Sequence, residues 1–183
     1  MNLAEMATYL RERHTFDLTR VETLPYYNAD SDGEDYRRFL TDPKATGPTV
    51  DKSGWLATLR SDTDGHKRWR RVRLVRDPLT DYERYSCTWG YPDNVAAGED
   101  VRILQVTDES RLDQLVGDFF VVDNEHVVLT YYDAAGRHAG AEVVDGRESA
   151  ALIAVRDLAW GRAVPFTDWW NAHPEYSRAR QVA

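Results

Sequence analysis

The chain has 183 residues, 42% apolar and 30% charged, with a formal net charge of −8 at pH 7. That size and mixture fit one globular domain with a real core rather than a disordered or fibrous chain. The acid surplus argues against a protein drawn as a whole to nucleic acid or anionic lipid, and no run of 18 apolar residues is present to span a membrane.

Residues 3–13 read as a short helix with Leu3, Met6, Ala7 and Leu10 on one face. A polar turn over Asn28 to Gly33 leads to a second helix, Glu34 to Leu40. The stretch Thr41 to Gly54, with its Pro and Gly, reads as a loop, and Ser53 is placed to cap a helix from Gly54 to Ser61. Trp69 to Arg76 alternates as a strand, with Val72 and Leu74 on one face and Arg71 and Arg73 on the other. Leu79 to Tyr91 sets Tyr82, Tyr85 and Trp89 at helical spacing behind a Thr80 cap. That face is expected to pack on the strands 101–106 and 118–122. Gly90 is expected to end this helix, Pro92 to keep it from resuming, and Pro92 to Asp100 to form a loop.

Val101 to Val106 reads as a strand and Asp108 to Val116 as a short helix stopped by Gly117. Three strands follow, Asp118 to Val122, His126 to Tyr132 and His138 to Val144. They are joined by the turn sequences Asp123-Asn124-Glu125 and Asp133-Ala134-Ala135-Gly136. Leu152, Val155, Leu158 and Ala159 mark a C-terminal helix, and Pro165 separates it from Phe166, Trp169 and Trp170. The order predicts an α/β fold, a single mixed sheet of about five strands flanked by helices. Residues 1–183 form one domain in this reading, with 1–65 a mainly helical N-terminal part and 66–173 the α/β core.

The chemistry is sparse. Cys87 is the lone cysteine, so no intramolecular disulfide forms, in keeping with a reducing cytoplasm. Residues 1–10 lack the basic and apolar regions of a signal peptide. The five histidines (His14, His66, His126, His138, His173) show no metal spacing, and no P-loop, Gly-x-Gly-x-x-Gly or Gly-x-Ser-x-Gly occurs. No cofactor, metal or catalytic residue is therefore assigned. The run from His66 to Arg76 holds six of the 23 Lys and Arg residues. It reads as a strand with a solvated charged face in preference to a phosphate-binding surface. Asp118, Asp123 and Asp133 sit at strand ends, where Asp commonly bonds turn amides. The segment 88–100 is the most unusual. Trp89 and Tyr91 flank a glycine, and Tyr91 and Asn94 are candidate polar handles of a pocket rim, with an aromatic anchor as the plainer reading.

Pro78-Leu79-Thr80-Asp81-Tyr82, the stretch Trp89 to Arg102 and Asp118-Phe119-Phe120-Val121-Val122-Asp123, with Val21 to Tyr27, resemble an uncharacterised actinobacterial family filed as a domain of unknown function. The likeness covers residues 16–172. Members of that family tend to be encoded near helix-turn-helix regulators and small companion proteins, which implies a regulatory role by association. The strand order also resembles one half of the phospholipase D fold. Counting back from Asp123 in that superfamily's His-x-Lys-x-x-x-x-Asp motif puts Val116 at the nucleophile and Asp118 at the phosphate-binding Lys, so the resemblance implies a scaffold that has lost its chemistry.

The function expected is thus a non-enzymatic, cytoplasmic regulatory or interaction domain. It would bind a protein partner, for which a helix-turn-helix regulator is the candidate, or a small ligand. Self-association into a homodimer would use exposed aromatics of the C-terminal helices, and neither a membrane nor direct nucleic-acid binding is expected. Candidate binding residues are Tyr82, Trp89, Tyr91, Asn94 and Asp118. The rival is an enzyme of unrecognised type with its pocket around the 89–98 loop, recognisable by a deep pocket of convergent polar groups. Nucleic-acid binding would instead need one basic surface joining Arg68, Arg70, Arg71 and Arg73.

Overall fold

Two charged side chains at alternate positions, Arg20 and Glu22, disguise the strand on which the whole architecture turns. The computed structural model describes residues 1–29, 32–107 and 117–177. Helix α1 (Leu3–Arg13) leads into strand β1 (Asp17–Glu22), and helices α2 (Gly33–Thr41) and α3 (Ser53–Asp64) precede β2 (Arg68–Val75). One long helix then runs in three parts: α4 (Asp81–Tyr85), a π-helical turn (Ser86–Gly90) and α5 (Tyr91–Ala96). Strands β3 (Asp100–Gln105), β4 (Asp118–Val122), β5 (His126–Tyr132) and β6 (His138–Val144) follow. Helix α6 (Gly146–Arg162), the short strand β7 (Val164–Pro165), α7 (Phe166–Ala172) and a 3-10 turn (Pro174–Tyr176) complete the described chain.

Among the described residues seven strands make one open mixed sheet, in the order β6-β5-β4-β1-β2-β3-β7. The expectation of about five strands missed β1 and β7. β1 runs parallel to β2, and β2 to β3, while β1 meets β4 antiparallel and β4, β5 and β6 form a meander. β1 therefore stands where the parallel half of the sheet joins the antiparallel half. It was hidden because Asp17, Thr19 and Glu22 are buried together with its apolar residues.

One face of the sheet is covered by α6, whose Ala159 packs among Val21, Val72, Leu104, Phe119, Val121 and Val127. On the other face α1 sets Met6 and Leu10 against Leu18, Phe120, Val122 and Val128. Further along that face Cys87 and Tyr91 pack with Val101, Ile103 and the α7 residues Phe166 and Trp169. Phe166 and Trp169 are buried, so they do not form the exposed aromatic surface expected of the C-terminal helices. Capping boxes start two helices: Asn2 with Glu5 opens α1, and Thr80 with Glu83 opens α4. Ser53, expected as a cap, is instead the first residue of α3.

The helix from Asp81 corrects the reading of Gly90 as its stop and of 92–100 as a loop. The Tyr91 amide bonds back five residues to the Ser86 carbonyl, which is the π pattern. A proline inside an α-helix clashes with the carbonyl four residues earlier and lacks a donor. The widened turn relieves Pro92 of that clash, and the helix continues to Ala96. Gly98 closes the segment at φ +109°, with the position of a Cβ only 2.4 Å from Thr63 Oγ1 of α3. Only glycine fits that approach. The helix expected over Asp108 to Val116 and the tail beyond Ser177 lie outside the described residues.

Candidate functional site

Between the two apolar regions of the second sheet face lies a band of charge. β1 and β2 pair Arg20 with Arg71 and Glu22 with Arg73, so four charged side chains share this face. β4 adds Asp118 and β5 adds Tyr132 on the same side. The helix above contributes Glu83, Tyr91 and Asn94, and the approach to β3 contributes Glu99.

Glu22 is the hub. Its Oε1 lies 3.0 Å from Arg20 Nη1 and accepts from Arg71 Nη1; its Oε2 accepts from the Tyr91 hydroxyl at 3.0 Å and lies 3.8 Å from Arg73 Nη1. One arm runs through Arg20, whose Nη2 donates to Asp118 Oδ2 at 3.0 Å. Asp118 also accepts from the Tyr27 and Tyr132 hydroxyls at 2.8 and 3.0 Å and from the Thr23 amide at 2.8 Å. The other arm runs through Arg71, whose Nε donates to Glu99 Oε1 at 2.9 Å. Glu99 Oε2 accepts from Asn94 Nδ2 at 2.7 Å, and Asn94 Oδ1 accepts from Trp55 Nε1 at 3.2 Å.

Arg73 is 1% exposed and differs from its neighbours. Glu83 and Glu22 approach it only to 3.6 and 3.8 Å, its guanidinium lies 5.0 Å over the Tyr27 ring, and its Nε and Nη2 have no hydrogen-bond partner among the described residues.

Burial alone would raise the Glu22 carboxyl. Arg20, Arg71 and Arg73, with the Tyr91 hydroxyl, outweigh it and hold the group at about 2. Burial raises Glu83, opposed by Arg73 and by the Thr80 amide and hydroxyl. The Tyr27 and Tyr91 hydroxyls are pushed far up, first by burial and then by neighbouring carboxylates. Cys87 is buried behind the band, and its thiol is pushed up to about 12. A carboxylate this acidic is a poor base at neutral pH, and a thiol this basic is a poor nucleophile. The band is built to hold charge in place more than to move protons.

Of the residues singled out from sequence, Tyr91, Asn94 and Asp118 all join this network. Tyr82 and Trp89 do not. They lie beside it in an aromatic cluster with Tyr27, Phe39 and Tyr85, and Tyr82 donates to Asp32 at 2.9 Å. That face thus packs on α2 and the 23–27 loop, not on the strands expected, where Cys87 and Tyr91 pack instead. Asn94 is 9% exposed and bonded through both side-chain atoms, so it is an internal strut and not a polar handle at a rim. Arg20, Glu22, Tyr27, Arg71, Arg73, Glu83 and Glu99 were missed as a group. Their one signal was the match of charged residues at alternate positions in 17–22 and 68–75, which carries meaning only once the two segments are known to pair.

The basic run is divided by the pleat. Arg71 and Arg73 point into the buried band, correcting their assignment to a solvated face, while Arg68 and Arg70 lie on the other side of the sheet. The single basic surface that nucleic-acid binding required does not form. Asp123 accepts from the Thr15, Phe16 and Asp17 amides and is held at about 2 by those bonds against its burial, in the manner of a turn aspartate. Among the described residues no three His, Cys, Asp or Glu side chains are grouped to hold a metal ion, and no helix is long and apolar enough to cross a membrane.

Fold and site together define a mixed α/β protein with a buried ionic band on one sheet face. The chain belongs to the family described as Domain of unknown function (DUF6879), whose model matches residues 4–171. No curated protein and no solved structure matches it.

Proposed function

We propose that the chain is a non-enzymatic regulatory or interaction domain that binds a protein partner or a small ligand. The observation that carries this reading is the surroundings of Glu22, whose buried carboxylate meets Arg20, Arg71 and Arg73 and accepts from Tyr91, contacts that hold it ionised well below the usual carboxylate range. Active sites tune such groups toward the working pH, whereas this one is tuned away from it. The ionic band then serves as a rigid frame that fixes the helix 81–96 against the sheet. A helix-turn-helix regulator is the first candidate partner, from the actinobacterial family resemblance, and the domain works in the cytoplasm. The likeness to half of a phospholipase D fold fits the same reading, since Val116 and Asp118 stand where its His and Lys would.

The test is reconstitution. The chain is used to capture partners from its native host, and each is then purified and mixed with it at defined concentration. A stoichiometric complex by light scattering supports the proposal. Turnover of a generic phosphodiester or ester substrate, lost on Asp118→Asn in a folded variant, overturns it.

A second reading, an enzyme of unrecognised type, is favoured by one observation. Arg73 keeps two buried donors without a hydrogen-bond partner among the described residues, beside a carboxyl that burial raises. The same substrate panel run on Arg73→Lys distinguishes the two.

A further inference from the structure

The opposite face of the sheet carries a second cluster of arginines, at the start of the parallel strands. Asp17 of β1 lies beside Arg68 of β2, and Arg70 follows on the same face, two residues along. From above, α6 brings Arg156 and, four residues on, Trp160. Asp17 is buried, and its Oδ1 lies 3.2 Å from Arg68 Nε and 3.0 Å from Arg70 Nε, while its Oδ2 lies 3.9 Å from Arg156 Nη1. Three guanidiniums therefore converge on one carboxylate.

That carboxylate does not satisfy them. It approaches Arg68 and Arg70 at Nε, yet its Oδ1 makes no hydrogen bond among the described residues, so these contacts are ion pairs only. The Arg156 side chain is 4% exposed, and its Nη1 has no hydrogen-bond partner among the described residues. Its other nitrogens are engaged, Nε by Asp157 and Nη2 by Asn124. Counting Asp17 and Asp157 against the three arginines leaves an excess of one positive charge. Burial pushes Arg70 down; Asp17 and Asp100 pull it up, and Arg68 and Arg156 push it down.

Aromatic rings border the same place. Arg68 lies 4.3 Å over the Phe16 ring, and Arg70 lies 4.9 Å over Trp160. Arg68 is about half exposed, so the cluster opens to solvent on its side. Arg102 also lies over Trp160, at 4.0 Å, but its fork is taken by Asp100.

We propose that Arg68, Arg70 and Arg156 form an oxyanion site that takes a phosphate group, with Asp17 fixing the guanidiniums from beneath. Guanidinium nitrogens crowded round one point suit a compact anion with several acceptor oxygens better than an extended acidic chain. The phosphate belongs either to free inorganic phosphate or to a nucleotide whose base stacks on Phe16 or Trp160. The site is on the other sheet face from the ionic band and does not depend on the function proposed for it.

The experiment titrates the purified full chain with sodium phosphate and, separately, with AMP, each balanced with chloride at constant ionic strength. Tryptophan fluorescence and calorimetry are the readouts. The expected result is saturable binding that weakens at least about tenfold in Arg68→Gln, since a charge-assisted pair is lost. Arg68 is exposed enough for that variant to fold, which circular dichroism checks, and it carries the test should Arg70→Gln unfold. AMP binding about tenfold tighter than phosphate, as base stacking would give, assigns a nucleotide, and equal affinity assigns free phosphate. Heat and fluorescence changes no larger than those with chloride, or binding unchanged in a folded Arg68→Gln, overturn the proposal.

Discussion

Replacing Glu22 by glutamine keeps the shape of the hub and removes its charge. Arg20, Arg71 and Arg73 would then share a buried space with one counter-charge fewer. The carboxyl lies at about 2 in the fold against an ordinary 4.5, and that gap corresponds to about 3 kcal/mol at neutral pH. Breaking a buried pair by removing one partner costs about 3–5 kcal/mol by the same logic of uncompensated charge. The folded-state value is depressed, so this stability is fully present above 4.5 and is lost as pH falls through 2. At pH 3 the linkage leaves less than half of it. Urea melts of the wild type and Glu22→Gln at pH 7 and pH 3 measure both differences. A variant within about 1 kcal/mol of the wild type at pH 7, or a difference that stays constant down to pH 3, would refute the electrostatic account of the band.

Trp89→Ala removes a buried ring from the aromatic cluster and is expected to cost about 3–5 kcal/mol in a denaturant melt. Asn94→Ala strands Glu99 and Trp55 and is expected to cost about 1–3 kcal/mol in the same assay. His14 is 2% exposed, donates from Nε2 to the Arg68 carbonyl at 3.2 Å, and is pushed below 6.5 first by burial. The unfolded chain therefore takes up the proton first, so stability falls as pH drops below 6.5, and His14→Gln should flatten that slope in melts between pH 7.5 and 5. Cys87 should resist a thiol reagent in the native protein and react in full once urea unfolds it; rapid labelling without denaturant would contradict its burial.

The antiparallel half of the sheet was legible from sequence because its signals are local. β4, β5 and β6 alternate or run apolar, and Asp123-Asn124 supplies two positive-φ residues for a tight turn. β1 was not legible. Arg20 and Glu22 look like surface residues until Arg71, Arg73 and Asp118 are set beside them from distant parts of the chain. The candidate site followed the same rule. Tyr91 and Asn94 drew attention as unusual residues in an unusual segment, yet their roles depended on partners at Glu22, Glu99 and Trp55 that no spacing announces. Gly90 and Pro92 misled for a local reason, because the π register lets the helix pass a proline that ordinarily ends it.

That π turn ties the fit of the segment 91–96 to the number of residues before it. A π turn amounts to one residue inserted into an α-helix, and the widened turn absorbs it so that the helix beyond stays in phase. Deleting any one residue of Ser86–Gly90 would let regular bonding resume without turning Tyr91 and Asn94 away from Glu22 and Glu99. Pro92 would then face a carbonyl four residues earlier that it cannot accommodate. Substitutions in this helix cost side chains one at a time, whereas a deletion of one codon would strain the helix itself at Pro92.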